Sequence, residues 1–233
     1  GGRFDGGAVA ARFQRAAGNA ALTVTSEDAG AFFRYFDLYN RMRGGRLELT
    51  ARLGRGTQGG DIAVRNFVLR DEPAMKRLVA DASTQSSGDT ARLQADLARQ
   101  LRNGQDVSFT RMTLAFARTP GRMDIREGVL IGPEIGGNIN GKLDYARDSV
   151  DLTGTFVPAF SLNNMVANVP LVGPLLAGGR NEGLFAVRYA ITGKASAPTL
   201  SVNPLTAIAP GFFRKLIDFR GMGGTAPAPR HEQ

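Results

Sequence analysis

From Arg46 onward most of this chain alternates apolar and polar residues with a period of two, and that alternation limits its fold more than any other feature. Leu47, Leu49, Ala51 and Leu53 alternate with Glu48, Thr50 and Arg52. Ile139, Gly141, Leu143 and Tyr145 alternate with Asn138, Asn140, Lys142 and Asp144. Val150, Leu152, Gly154 and Phe156 oppose Asp151, Thr153 and Thr155, and Phe185, Val187, Tyr189 and Ile191 repeat the pattern. Successive side chains of a strand point to opposite faces, so each segment reads as a strand with one apolar and one wet face. Turn signals separate them, including the Gly-rich stretch 54–60 and Pro120-Gly121. The second half is predicted to be a meander over Asp106–Arg118, Arg122–Ile131, Glu134–Arg147 and Ser149–Val157, then strands at Glu182–Thr192 and Thr199–Val202. Within Asp106–Arg118 the phase slips: Val107 and Phe109 face one way, then Met112, Leu114 and Phe116 continue one position out of step. A β-bulge is the expected cause.

Helical spacing interrupts this pattern. Ser26 is the expected N-cap of a helix carrying Ala29, Phe32, Phe33, Phe36, Tyr39 and Met42, with Gly44-Gly45 as its end. Asp71 and Pro73 are expected to open a second helix with Met75, Leu78, Val79 and Ala82 on one face. Further helices are predicted over Thr90–Arg102 and Ser161–Val169, and from Pro210. Ala8–Phe13 and Leu22–Thr25 give short strand signals. The fold class is therefore α+β and mostly β, with a long antiparallel sheet and several short amphipathic helices covering its face or ends. Residues 1–19 read as a flexible or partial-strand start, 20–220 as one domain, and the Gly-, Pro- and Ala-rich 221–233 as a disordered tail.

Composition removes several chemistries. The 233 residues include no Cys, no Trp and one His, His231. Thiol nucleophiles, Cys-based metal sites and an internal imidazole base are therefore out of reach. No carboxylate pair stands out, so neither an enzyme nor a metal site is expected. Gly54, Gly56 and Gly59 spell a dinucleotide-loop pattern, but a strand rather than a helix follows, so no helix N-terminus would receive a pyrophosphate. Gly136, Gly141 and Lys142 match a phosphate loop in spacing only, because Leu143 stands where a hydroxyl should bind magnesium. The net charge is +8, and all but four of the 29 cations are Arg. That balance admits anionic lipid, acidic protein or nucleic acid as partner. Nucleic acid is not expected, because the Arg residues are spread and no recognisable module is present. The uncharged stretch Leu152–Gly179 is broken by three prolines, so it is not expected to span a bilayer, and any membrane anchor is expected outside this chain.

The segment Val150–Phe219 carries a more specific pattern. It runs through Gly154 with Val157-Pro158, Asn163, Pro170-Leu171-Val172-Gly173, Glu182-Gly183-Leu184-Phe185 and Tyr189 with Ile191-Thr192-Gly193. Asn203-Pro204-Leu205 and Ala209-Pro210-Gly211-Phe212 with Arg214 complete it. This resembles the C-terminal region of the AsmA-like family, in particular its large YhdP-type members, with TamB-type proteins as more distant relatives. Ser26-Glu27-Asp28-Ala29-Gly30, Gly44-Gly45 and Ile62 to Pro73 extend the resemblance to roughly residues 20–220.

The resemblance implies a periplasmic protein of a Gram-negative bacterium, anchored in the inner membrane, whose apolar β-groove carries phospholipid between inner and outer membrane. No cofactor, nucleotide or catalytic residue is implied. The expected groove lining is Leu47, Leu49, Leu53, Met112, Leu114, Phe116, Ile139, Leu143, Val150, Leu152, Phe156, Phe185, Val187, Tyr189 and Ile191. Phe212, Phe213, Arg214, Lys215, Leu216 and Ile217 are the candidates for contact with a membrane surface or an outer-membrane protein. The alternative is a structural or docking module for outer-membrane assembly or envelope integrity, conducting no lipid itself.

Overall fold

The computed structural model describes residues 2–4, 7–16, 19–54, 58–83, 98–99, 103–104, 106–133, 135–158 and 186–205. Eleven strands form one antiparallel sheet in which each strand pairs with its neighbours in sequence. They are β1 (Gly2–Phe4), β2 (Gly7–Ala16), β3 (Asn19–Ser26), β4 (Met42–Leu53), β5 (Gln58–Leu69) and β6 (Val107–Thr119), then β7 (Arg122–Ile131), β8 (Ile135–Asp144), β9 (Ser149–Pro158), β10 (Ala186–Lys194) and β11 (Ala197–Leu205). The order runs from β1 to β11 without closing, as the alternation requires of a meander. The sheet begins before residue 20, because β2 continues the ladder through Val9↔Ser26 to Ala16↔Asn19.

Among the described residues two helices, α1 (Ala29–Tyr35) and α2 (Pro73–Ser83), sit in the connections at one end of the strands. The first links β3 to β4, and the second follows β5. The other end consists of tight hairpins such as those at Pro120-Gly121 and Tyr145–Asp148. Although α2 follows β5, it packs on β11. A flat sheet would hold those strands roughly 29 Å apart at ~4.8 Å per step, so the sheet coils strongly about its apolar face. The buried core is continuous from Val24 in β3 through Leu47, Val64, Phe67 and Phe109 to Phe156 and Val187, and both helices add to it through Phe32, Phe33, Met75 and Val79.

The helices depart from their expected limits. Asp28, not Ser26, caps α1: its carboxylate accepts the Ala31 N–H at 2.8 Å. Ser26 is buried before the helix, and its hydroxyl accepts the Asp28 N–H at 3.2 Å. The helix also ends early. Asp37 takes φ +53, and the N–H groups of Asp37 and Leu38 return to the carbonyls of Arg34 and Phe33, a left-handed stop that needs no glycine. Met42 therefore belongs to β4. At α2, Asp71 has φ +50 and is no N-cap; the Glu72 carboxylate accepts the Ala74 N–H instead. The predicted helix Thr90–Arg102 lies outside the described residues except for the helical Ala98 and Arg99, and those at Ser161–Val169 and from Pro210 lie outside them entirely.

The slip inside β6 has a different cause from the expected bulge. Register is unbroken there, with Phe67↔Phe109 and Arg65↔Arg111 in step. Instead β4, β5 and β6 change phase together, along a line where Gly45 has φ +91 and Asn66 φ +54. Gly45 is required twice over, since a Cβ there would also meet the Phe67 Cβ at 2.8 Å. The real register slips lie further on, between Ala115 and Phe116 of β6 and between Ile125 and Gly128 of β7.

Candidate functional site: a continuous apolar sheet face

Register places the apolar side chains in rows running across the sheet, each row one residue from each strand. The row nearest the helices reads Val9, Ser26, Leu47, Val64, Met112, Leu130, Gly137, Phe156, Val187 and Pro204. The next holds Ala11, Val24, Leu49, Ile62, Leu114, Gly128, Ile139, Gly154, Tyr189 and Val202. A third holds Phe13, Leu22, Ala51, Gly60, Phe116, Ile125, Gly141, Leu152, Ile191 and Leu200. The outermost row, at the hairpin end, holds Arg15, Ala20, Leu53, Gln58, Arg118, Met123, Leu143, Val150, Gly193 and Pro198. The opposite face alternates with these rows and is mostly polar, with Glu48, Thr50, Thr113, Asn138, Lys142, Asp151, Thr155 and Arg188.

Every described member of the expected groove lining lies in these four rows. Leu47, Met112, Phe156 and Val187 share the first; Leu49, Leu114, Ile139 and Tyr189 the second; Phe116, Leu152 and Ile191 the third; Leu53, Leu143 and Val150 the fourth. Phe185 and Phe212–Ile217 lie outside the described residues. The sequence reading missed Val9, Phe13, Leu22, Ile62, Met123, Ile125 and Leu200 on the same face. Val9, Ala11 and Phe13 did carry the period-two signal. In β7 the slip at Arg126-Glu127 hid it, because Met123 and Ile125 are out of phase with Gly128 and Leu130.

Burial falls from the helix end to the hairpin end. Leu47, Val64 and Val187 in the first row are fully buried, and Phe67 stacks on Phe109 just beyond it, with ring centroids 5.3 Å apart. In the third row Leu22, Phe116, Ile125, Ile191 and Leu200 are half-buried and Phe13 is 53% exposed, although in β9 Leu152 and, in the outermost row, Val150 remain buried. The helices and the Phe67–Phe109 stack thus fill one end of the coiled face, and at the other end most of the apolar residues outside β9 stay in partial contact with solvent.

Large side chains lie down over glycines, which keeps this face smooth. A Cβ on Gly60 would meet the Phe116 ring at 3.1 Å. Gly154 lies under Tyr189, with its absent Cβ 2.5 Å from the ring carbon that bears the hydroxyl. The Tyr189 hydroxyl donates to the Asn138 carbonyl at 2.8 Å, while the Asn138 side-chain oxygen accepts the Thr155 N–H at 2.7 Å in its place. The one phenol of the second row is thus spent on the backbone, and burial pushes its pKa up to about 12.

Both phosphate-loop patterns resolve into sheet. β5 rather than a helix follows Gly54, and Gly136, Gly141 and Lys142 all lie within β8, with Lys142 on the polar face. Tyr39 donates to the Glu72 carboxylate, and burial, then that bond, raises its pKa. Arg41 and Lys76 both reach Asp71, whose carboxyl is held below its ordinary value by Lys76 first. These contacts tie the α1–β4 turn to α2. Among the described residues no helix is long and apolar enough to cross a membrane. Comparison with protein-family models, with curated proteins and with solved structures returns no match to this chain.

Proposed function

We propose that this chain is the C-terminal module of an envelope protein that carries phospholipid along an apolar β-groove between the inner and outer membranes. The observation that carries the reading is the four-row apolar face, continuous across β2–β11 and backed by a polar face. Acyl chains need apolar surface and no directional partner, and a smooth face with its single phenol already bonded offers that. Movement along such a face requires no chemical step. The envelope setting, the periplasm and the inner-membrane anchor rest on the resemblance of Val150–Phe219 to the AsmA-like family.

The test is purification without detergent followed by native mass spectrometry and a vesicle-to-vesicle transfer assay. The expected result is co-purified phospholipid, displaced in Leu143→Asp, whose half-buried site at the hairpin end tolerates a charge better than the core does. A folded, lipid-free chain that transfers nothing would overturn the proposal.

A further inference from the structure

The apolar face is selective in the charge it tolerates. Among the described residues its four rows contain no carboxylate, and their only charged side chains are Arg15 and Arg118. Both stand in the outermost row at the hairpin end, and both are exposed. Neither forms an ion pair among the described residues. The Arg15 guanidinium lies 5.7 Å from the centroid of Phe13, its neighbour one row deeper. Gln58 stands beside Arg118 in register and adds a neutral donor to the same rim. The polar face mixes signs, with Glu48, Asp61, Asp124 and Asp151 among its cations.

We infer that this rim receives the phosphate of a lipid whose acyl chains lie on the rows beneath it, headgroup towards the hairpins and chain ends towards α1 and α2. The inference rests on the groove reading and adds to it a headgroup class and an orientation. A guanidinium offers paired donors that match phosphate oxygens. Dimensions agree with the assignment. The three rows nearest the hairpins span ~14 Å at ~3.4 Å per residue along the strand. One leaflet of a bilayer's hydrocarbon core is about 15 Å deep, half of its ~30 Å thickness. Charge complementarity selects a phosphate-headed lipid over an uncharged one of equal chain length, because nothing on this face would repel an anion.

The experiment compares binding of two fluorescent probes with the same acyl chains, a phosphatidylglycerol and an uncharged diacylglycerol, to the whole chain. Arg118→Gln and Arg15→Gln are each expected to weaken phosphatidylglycerol binding about three- to fivefold, the scale of one exposed charge pair, and to leave diacylglycerol binding unchanged. Arg52→Gln, a cation at the same end but on the polar face, should change neither. The inference is overturned, with the groove reading intact, if both probes bind and the rim variants do not change their ratio. It is also overturned if Arg52→Gln weakens phosphatidylglycerol binding as much as the rim variants do, since net charge would then explain the effect. Failure of both probes to bind the unsubstituted chain overturns the rim and the groove together.

Discussion

Gly154 is where the smoothness of the apolar face can be tested with one methyl group. An alanine Cβ there would sit 2.1 Å from the Asn138 carbonyl oxygen and 2.5 Å from both the ring carbon and the hydroxyl oxygen of Tyr189. The backbone of β8 cannot yield, so Tyr189 must lift and its bond to Asn138 must break. Overpacking of this kind costs about 1–3 kcal/mol, and the lost hydrogen bond adds about 1 kcal/mol. Alanine regains about 0.5–1 kcal/mol over glycine in a strand. Gly154→Ala should therefore destabilise the chain by about 2 kcal/mol. Urea unfolding reads this as a lower midpoint at unchanged slope. Repeating the substitution in a Tyr189→Ala background isolates the ring: the cost of the methyl group should fall but not vanish, because the Asn138 carbonyl remains. A stability for Gly154→Ala within about 0.5 kcal/mol of the parent, or an equal cost in both backgrounds, would show that Tyr189 does not lie over Gly154, and the argument for a smooth face would fail.

Other substitutions separate the filled end of the face from the wet one. Val187→Asp places a carboxylate at a fully buried position and should cost more than about 4 kcal/mol, leaving little folded chain by circular dichroism, whereas Leu143→Asp should fold and lose lipid. Gly45→Ala forces a Cβ against Phe67 at φ +91 and should lower the urea midpoint by the equivalent of about 2–3 kcal/mol. Asp28→Ala removes the α1 cap and should cost about 1 kcal/mol by the same measurement. On the alkaline side, burial raises the Tyr189 phenol from 10.0 to about 12. The unfolded phenol ionises first, so its stabilising contribution is complete below pH 10 and is lost as pH rises towards 12. Tyr189→Phe should flatten that part of the stability profile, and an unchanged profile would refute the assignment.

The strands and their faces were legible because period two survives wherever one face is buried and the other wet. The stripe Ile139, Leu143, Val150, Leu152, Phe156 and Val187 could be placed on one face without knowing the register, since each strand votes separately. What was hidden depended on contacts between strands. The phase change at Phe109–Met112 looks like a bulge in one strand, but Gly45 and Asn66 on its neighbours make it a fold line across three. The stop of α1 was missed for a related reason: Asp37 adopts a left-handed conformation that sequence reserves for glycine, so the aromatic spacing through Tyr39 and Met42 read as continued helix. The absence of acids from the described part of the apolar face could be counted only after β2, β6 and β7 were in register, because the slip at Arg126-Glu127 decides which side Arg118 and Met123 share.

Among the described residues the sheet has two free edges. A coiled sheet of this length could close on itself or add a strand from another chain. At one edge β1 pairs with β2 only at Gly7, Ala8 and Val9, and among the described residues Ala10–Ala16 of β2 carry no partner strand on that side. At the other, β11 carries Pro198 and Pro204, and proline has no N–H to donate to a further strand. Among the described residues β1 and β11 do not pair. An apolar ligand lying along the half-buried rows at the hairpin end would cover the surface that closing the sheet into a barrel would enclose.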